Sequence, residues 1–256
     1  MTREPETPAS NPFERIAPVY DATREPFEPE VAEALLRRVR SVPGATLLEV
    51  GVGTGRVAIP LERHGLPVTG VDSAFEMLVR ARSKGLHRLI LGTARRLPLS
   101  DRSFDFVLFV HALGLLDDSE AGLSEALRVC RTGVLSVEER FDRMSAEGED
   151  RDQVRALVRA RLAELGGSPP SAWPPPRPFR PGDRRPVTRS TLVLDGVERT
   201  DPSDRLVLID RGADRTFLDV PQPLRSRAVA LVRSQLSGSP LMLRKRVWLH
   251  EWEPAR

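Results

Sequence analysis

The chain has one cysteine, Cys130, in 256 residues. An intramolecular disulfide is therefore impossible, and a thiolate-built metal cluster, which needs several cysteines, is excluded. The four histidines, His64, His87, His111 and His250, are scattered without metal-ligand spacing, so no structural metal is expected. No stretch approaches the roughly 18 apolar residues that cross a bilayer, and the N-terminal MTREPETPASNPFER lacks an apolar signal core. A cytoplasmic protein with no membrane contact is the expectation. Lysine is nearly absent, with only Lys84 and Lys245, and Tyr20 is the sole tyrosine. The 39 basic residues nearly balance the 36 acidic ones, leaving a net charge of +3. Arginine alternates with Asp and Glu along the whole chain, as in DRSFD, EERFDR and EDRDQVR. That is the pattern of mixed solvated faces, whereas polynucleotide binders gather their basic residues on one face.

What is present is an alternation of strand and helix patterns. Val31, Leu35, Leu36 and Val39 recur at helical spacing between Phe27 and about Val42, and the Pro-Gly of SVPG ends the pattern. ATLLEV is a short continuous apolar run bounded by Gly44 and Gly51, which reads as a strand buried on both faces. Helix 54 to 64, strand PVTGVD, helix 74 to 84, strand RLIL, strand FDFVLFV, helix 119 to 130 and strand GVLSVE follow in order. Five parallel strands between 45 and 138, wound by right-handed crossovers, predict an α/β, Rossmann-like, doubly wound sheet with its switch point beside the first strand. Past Glu139 the alternation stops. Residues 150 to 165 form an amphipathic helix pattern, with Val154, Leu157, Val158 and Leu162 on one face. The proline-rich GGSPPSAWPPPRPFRPGDRRP after it can be neither helix nor central strand, and reads as a linker or, with Trp173 and Phe179, as a lid. From Val187 on, TRSTLVLDGV and LMLRKRVWLHEWE alternate like strands, the latter as an edge or antiparallel strand, around helices 202 to 212 and 221 to 236. The sheet is thus expected to be mostly parallel, completed by a late antiparallel hairpin and a helical cap.

Chemistry concentrates where the first strand gives way to its helix, at Leu48-Glu49-Val50-Gly51-Val52-Gly53-Thr54-Gly55-Arg56. Glycines let backbone approach a ligand, and a helix start offers unpaired N–H groups, so an anionic or zwitterionic group fits there. Asp72 closes the second strand, 21 residues after Gly51, placed to accept hydrogen bonds from a ribose diol. The dinucleotide fingerprint GxGxxG fails at its third glycine, because position 56 is arginine.

The E-V-G-V-G-T-G form resembles the first motif of class I S-adenosylmethionine (SAM)-dependent methyltransferases. VDSAFEMLVRA resembles the family's second-strand segment, LILGTARRLPLSDRSFDFVLFVHAL its third-strand loop and fourth strand, and FERIAPVYD the N-terminal segment of the ubiquinone- and menaquinone-biosynthesis-like subgroup. Together these cover roughly residues 13 to 138. The resemblance implies SAM as cofactor, with Glu49, Gly51, Gly53, Thr54 and Gly55 around its methionine part, Asp72 and Ser73 at the ribose, Met77, Thr93 and Ala94 at the adenine, and Tyr20 and Val110 closing the site. Thr93 stands where the family generally has an Asp. The organisation implied is a tail over 1–12, a SAM-binding core over 13–140, a helix with connector or lid over 141–186, and strands and helices over 187–256 that complete sheet and cap.

Methyl transfer from a sulfonium needs alignment and exclusion of water more than a base. Where a proton must leave, His111, just past the fourth strand, lies at the carboxyl end of the sheet, where such folds place ligands. The Asn/Asp/Ser-Pro-Pro-aromatic motif of enzymes that methylate base amines is missing, since Val110-His111-Ala112-Leu113 stands there, and arsenic methylation would need more cysteines. A small-molecule acceptor, partly apolar with an anionic group, is expected. Arg177 and Arg180 in the proline-rich segment are its candidate anion partners. A non-catalytic SAM-binding protein and an RNA methyltransferase using the arginines of 177 to 190 are the alternatives.

Overall fold

The computed structural model describes residues 11–145, 148–167, 185–236 and 238–254. Trp173, Arg177, Phe179 and Arg180 lie outside them. Seven strands form one sheet: β1 (Leu47–Val50), β2 (Val68–Asp72), β3 (Leu89–Leu91), β4 (Phe104–Val110), β5 (Cys130–Arg143), β6 (Arg189–Thr200) and β7 (Leu241–Trp252), in the order β3-β2-β1-β4-β5-β7-β6. The first five are mutually parallel, while β7 runs antiparallel to both β5 and β6. The order in which strands join the sheet reverses between β1 and β4, so the carboxyl ends of these two parallel strands flank the crevice where open α/β sheets bind ligands.

Helix α2 (Pro29–Arg40) forms because Pro29 starts it, Glu30 sits in its first turn and Arg37, Arg38 and Arg40 in its last, complementing the helix dipole. Its apolar stripe of Val31, Leu35, Leu36 and Val39 is buried with Ala58 and Leu61 of α3 (Ala58–Arg63) against one face of the sheet. Each such buried Leu or Val contributes roughly 1.5–3 kcal/mol. Helix α4 (Phe75–Ser83) adds Leu78 and Ala81 to that face. On the other face, α5 (Ser119–Val129), capped by the Asp118 side chain, buries Leu123, Ala126 and Leu127 against Val107, Phe109 and Trp252. A third core joins α6 (Arg151–Glu164), α7 (Pro202–Asp210) and α8 (Gln222–Arg233) through Val154, Val158, Leu162, Leu206, Ile209 and Val229. This helical cap draws on segments from both sides of the proline-rich stretch.

Four elements differ from their sequence reading. Helix α1 (Pro12–Tyr20) begins at Pro12, with the Asn11 side chain accepting from the Phe13 amide, so the ordered chain reaches back before Phe13. Helix α3 starts at Ala58 rather than 54, because the glycine turn uses up the intervening residues. Strand β5 is far longer than GVLSVE and starts directly at the end of α5, since β7 keeps pairing with it as far as Arg143, opposite Leu243. Strand β7 is antiparallel, as one of its two readings had it, but lies inside the sheet, and β6 forms the edge. Among the described residues no helix is long and apolar enough to cross a membrane.

Candidate active site

The turn after β1 is fastened to β2. The amides of Gly51 and Val52 donate to the Val71 carbonyl at 2.8 and 3.0 Å, and the Gly53 amide donates to Asp72 Oδ2 at 2.8 Å. Gly51 is at φ 78°, and a Cβ there would stand 2.8 Å from Ala112 Cβ, so glycine is required both by the left-handed backbone and by the close approach of the loop after β4. Gly55, at φ 81°, is required by its left-handed backbone, while the Ile59 side-chain end it would meet can shift. Asp72 also takes the Ala74 amide on Oδ1 at 2.8 Å, which starts α4. Burial raises the Asp72 pKa above its ordinary value, and these amides work against that shift. Each carboxylate oxygen keeps acceptor capacity beyond its one backbone donor.

Beneath the turn lies Glu49, 2% exposed, whose Oε2 has no hydrogen-bond partner among the described residues. Burial pushes its pKa up to about 8; the Arg56 charge opposes this, the Asp72 charge adds to it, and the Ala58 amide lowers it a little. Arg56 is turned outward, donating to the Glu25 carbonyl at 3.1 Å with its guanidinium 5.7 Å from the Phe27 ring centroid. A buried carboxylate with an unpaired oxygen is a costly arrangement that a bound cation would relieve.

Helix α1 roofs this turn. Glu14 accepts the Phe75 and Glu76 amides at 2.6 and 2.8 Å, capping α4 from a different element and locking α1 above the end of β2. Ile16 and Ala17 then pack on Ala74 and Met77, with Tyr20 and Leu218 at the margin. Asp21 accepts the Thr54 hydroxyl at 2.5 Å and pairs with Lys84 at 2.9 Å. Burial works against ionisation of Asp21, yet Thr54 and Lys84 together hold its pKa below the ordinary value.

At the end of β4, His111 has φ 51°, a left-handed backbone uncommon outside glycine and found where side chains are held for function. Its Nε2 stands 3.5 Å from Glu139 Oε1. Burial lowers the His111 pKa below its ordinary value, and Glu139 only partly counters it, so the ring is neutral near pH 7. Glu139 reaches Lys245 of β7 at 3.3 Å, and Lys245 also pairs with Glu28 at the start of α2. Burial opposes ionisation of Glu28, but Lys245 keeps its pKa below the usual carboxylate range.

The residues named from sequence fall into two groups and four separate positions. Glu49, Gly51, Gly53, Thr54, Gly55 and Asp72 share one crevice wall with Tyr20 on the roofing helix. Val110 and His111 end β4, paired with Val137 of β5. Ser73 is exposed and accepts from the Asn11 amide group at 3.2 Å. Met77 is 1% exposed beneath α1, Ala94 is 8% exposed, and Thr93 is exposed in a small bridge with Arg96. Sequence reasoning did not name Glu28, Glu139 and Lys245, whose ion pairs beside His111 carry no motif, while Asp21 is the acid of the Tyr-Asp pair that the FERIAPVYD resemblance implies over the cofactor.

Comparison with known proteins bears on this geometry. The Methyltransferase domain family matches residues 48–137, from β1 to the β5 segment beside His111. An uncharacterized methyltransferase of Mycobacterium tuberculosis is 30% identical over 227 residues, 87% of this chain and 84% of the relative. A phosphatidylethanolamine N-methyltransferase of Cereibacter sphaeroides is 40% identical over 114 residues, 41% of this chain and 56% of that protein, so the match spans only about half of that relative. A solved candidate methyltransferase from an antibiotic biosynthesis pathway of Anabaena variabilis shares the fold at TM-score 0.58 and 17% identity, covering 88% of this chain and 98% of that one.

Proposed function

Because the chain belongs to the class I SAM-dependent methyltransferases, we propose that it moves the methyl group of SAM to a small-molecule acceptor by in-line displacement. The observation that carries this reading is Glu49, a buried carboxylate with an unpaired oxygen directly under the glycine turn. Its natural complement is a cation, and the methionine end of SAM carries an ammonium and a sulfonium. SAM supplies a methyl group already activated by that sulfonium. The protein's part is to hold and align.

Gly51, Gly53, Thr54 and Gly55 frame the methionine end beside Glu49, with Tyr20 and Asp21 closing over it. Asp72 and Ser73 take the ribose, and Met77, Thr93 and Ala94 surround the adenine. Helix α1, fixed by Glu14 on the start of α4, excludes water from this side. Val110 closes the cofactor site, and His111 faces the acceptor. Where the acceptor loses a proton, neutral His111 receives it, and Glu139 at 3.5 Å stabilises the resulting imidazolium.

Calorimetric titration with S-adenosylhomocysteine tests the cofactor half. Transfer of a labelled methyl from SAM into a bacterial metabolite pool tests the acceptor half. The expected result is saturable binding together with a labelled small molecule. Failure to bind would end the reading, binding without any labelled product would leave a SAM-binding protein of another kind, and label found in RNA would overturn the small-molecule assignment.

A further inference from the structure

The carboxylate beside His111 faces two groups at once. Glu139 Oε1 lies 3.5 Å from His111 Nε2 and 3.3 Å from Lys245 Nζ, so both address the same oxygen. Lys245 stands on β7 diagonal to Glu139, whose direct cross-strand partner is Val247, and so projects from the same face of the sheet. It is held there by Glu28 at the start of α2 and by Glu198 of β6 at 3.7 Å, with its ammonium 5.8 Å from the Phe141 ring centroid. Its side chain is only 16% exposed. Burial opposes its charge, yet Glu28 and Glu139 hold its pKa above the ordinary value, so it stays charged wherever His111 titrates.

A protonated His111 would need that same oxygen. A charge-assisted N–H···O bond closes to about 2.7–2.9 Å, and the separation of 3.5 Å is too long for one. With the Lys245 ammonium already on Oε1, Glu139 offers an incoming imidazolium only part of its field. Burial disfavours the imidazolium most; of the charges around the ring, Glu139 and Glu28 favour it, while Arg56 of the glycine turn and Lys245 oppose it. A base has to be free of its proton before it can take one. Glu139 alone would work against that condition, and Lys245 restores it.

We propose that Lys245 is a positioning residue for His111: it occupies the Glu139 oxygen that an imidazolium would claim, and so keeps the ring unprotonated and ready to accept a proton. The use of that ring in catalysis rests on the methyl-transfer reading; the effect of Lys245 on its proton does not. The test is a pH titration of the histidine Cε1 resonances in the unliganded protein, with His111→Ala identifying the signal. Lys245→Met should raise the proton affinity of His111 about tenfold, because Oε1 is then free for the imidazolium. Lys245→Arg, which keeps the charge, should leave it near its original value. Lys245→Gln repeats the loss of charge with a side chain that can still bond both carboxylates, should Lys245→Met fail to fold. Glu139→Gln should lower the affinity, and in that background Lys245→Met should raise it far less. Arg244→Met, at the next position of β7 on the opposite face, where Arg244 pairs with Asp195, is the control and should change nothing. An unchanged or lowered affinity on loss of the Lys245 charge, or an equal rise with and without Glu139, overturns the proposal. With SAM saturating, the acidic limb of kcat/KM for the acceptor should move up by about one on the pH scale in Lys245→Met. If the resonance moves as expected and this limb does not, the control of the His111 proton stands and the reading of His111 as the base alone falls.

Discussion

Glu49 makes cofactor binding a proton-linked event with a direction that can be measured. With its pKa pushed to about 8, the carboxyl is about nine-tenths protonated near pH 7. A cationic amino-acid end seated against it favours the carboxylate, so the proton must leave as the ligand enters. Displacing it costs about 3 kcal/mol at about pH 6 and about half that at about pH 7. The dissociation constant for S-adenosylhomocysteine should therefore tighten about tenfold between those two pH values. Titrations at about pH 7 in buffers of differing ionisation enthalpy should report release of nearly one proton, and Glu49→Gln should abolish both effects. The same shift fixes the sign for folding. A carboxyl whose folded pKa is raised gives stability that is present in full below its unfolded value of 4.5 and is lost as pH rises through about 8. The unliganded protein should accordingly melt at lower temperature as pH is raised through that window, and Glu49→Gln should flatten the trend. An affinity independent of pH, with the same heat in every buffer, would refute the reasoning.

Asp72→Ala should weaken S-adenosylhomocysteine about tenfold to a hundredfold, the loss of charge-assisted bonds to a diol; an unchanged dissociation constant in a folded variant, checked by circular dichroism, would remove Asp72 from the site. With SAM saturating, so that Glu49 does not titrate, the pH profile of kcat/KM for the acceptor should fall on its acidic side with an apparent pKa below 6.5, because burial lowers that of His111, and His111→Ala should remove that limb; a limb that persists rules out His111 as the base. Gly51→Ala should cost about 1–3 kcal/mol in a denaturant melt, since the new methyl meets Ala112 on a left-handed backbone, and Ala112→Gly should restore part of the loss. Buried Asp214 of the cap pairs with Arg155 of α6 at 2.9 Å and Arg205 of α7 at 3.4 Å, so Asp214→Ala strands two partly buried guanidiniums and should destabilise the cap by about 3 kcal/mol, seen as faster proteolysis of α6 to α8; unchanged proteolysis would show that the cap does not depend on these pairs.

The parallel half of the sheet was legible because its information is local. LLEV and FDFVLFV are apolar runs flanked by turn residues, and burial on both faces leaves such runs few alternatives. Strand β7 reads as an edge or antiparallel strand, and it is antiparallel yet interior, although Arg244, Lys245, Arg246 and Glu251 make it look solvated. Each of those charges has a partner that sequence separation hides: Asp195 for Arg244, Glu28 and Glu139 for Lys245, Asp142 for Arg246 and Arg38 for Glu251. Polar patterning reports whether a side chain needs a polar partner, and it does not say whether that partner is water or protein.

The same asymmetry divides the candidate site. The cofactor wall is built from β1, its turn and the end of β2, where Gly51, Gly53 and Asp72 lie within 22 residues and backbone constraints dictate residue type. Its signature is therefore written contiguously. The charges around His111 are assembled from α2, the end of β5 and β7, so Glu28 meets Lys245 across some two hundred residues. No backbone conformation forces glutamate at 28 or lysine at 245. Such positions can change with the ligand while the fold stays intact, which is why one sequence states its cofactor and leaves its acceptor to three-dimensional charge arrangement.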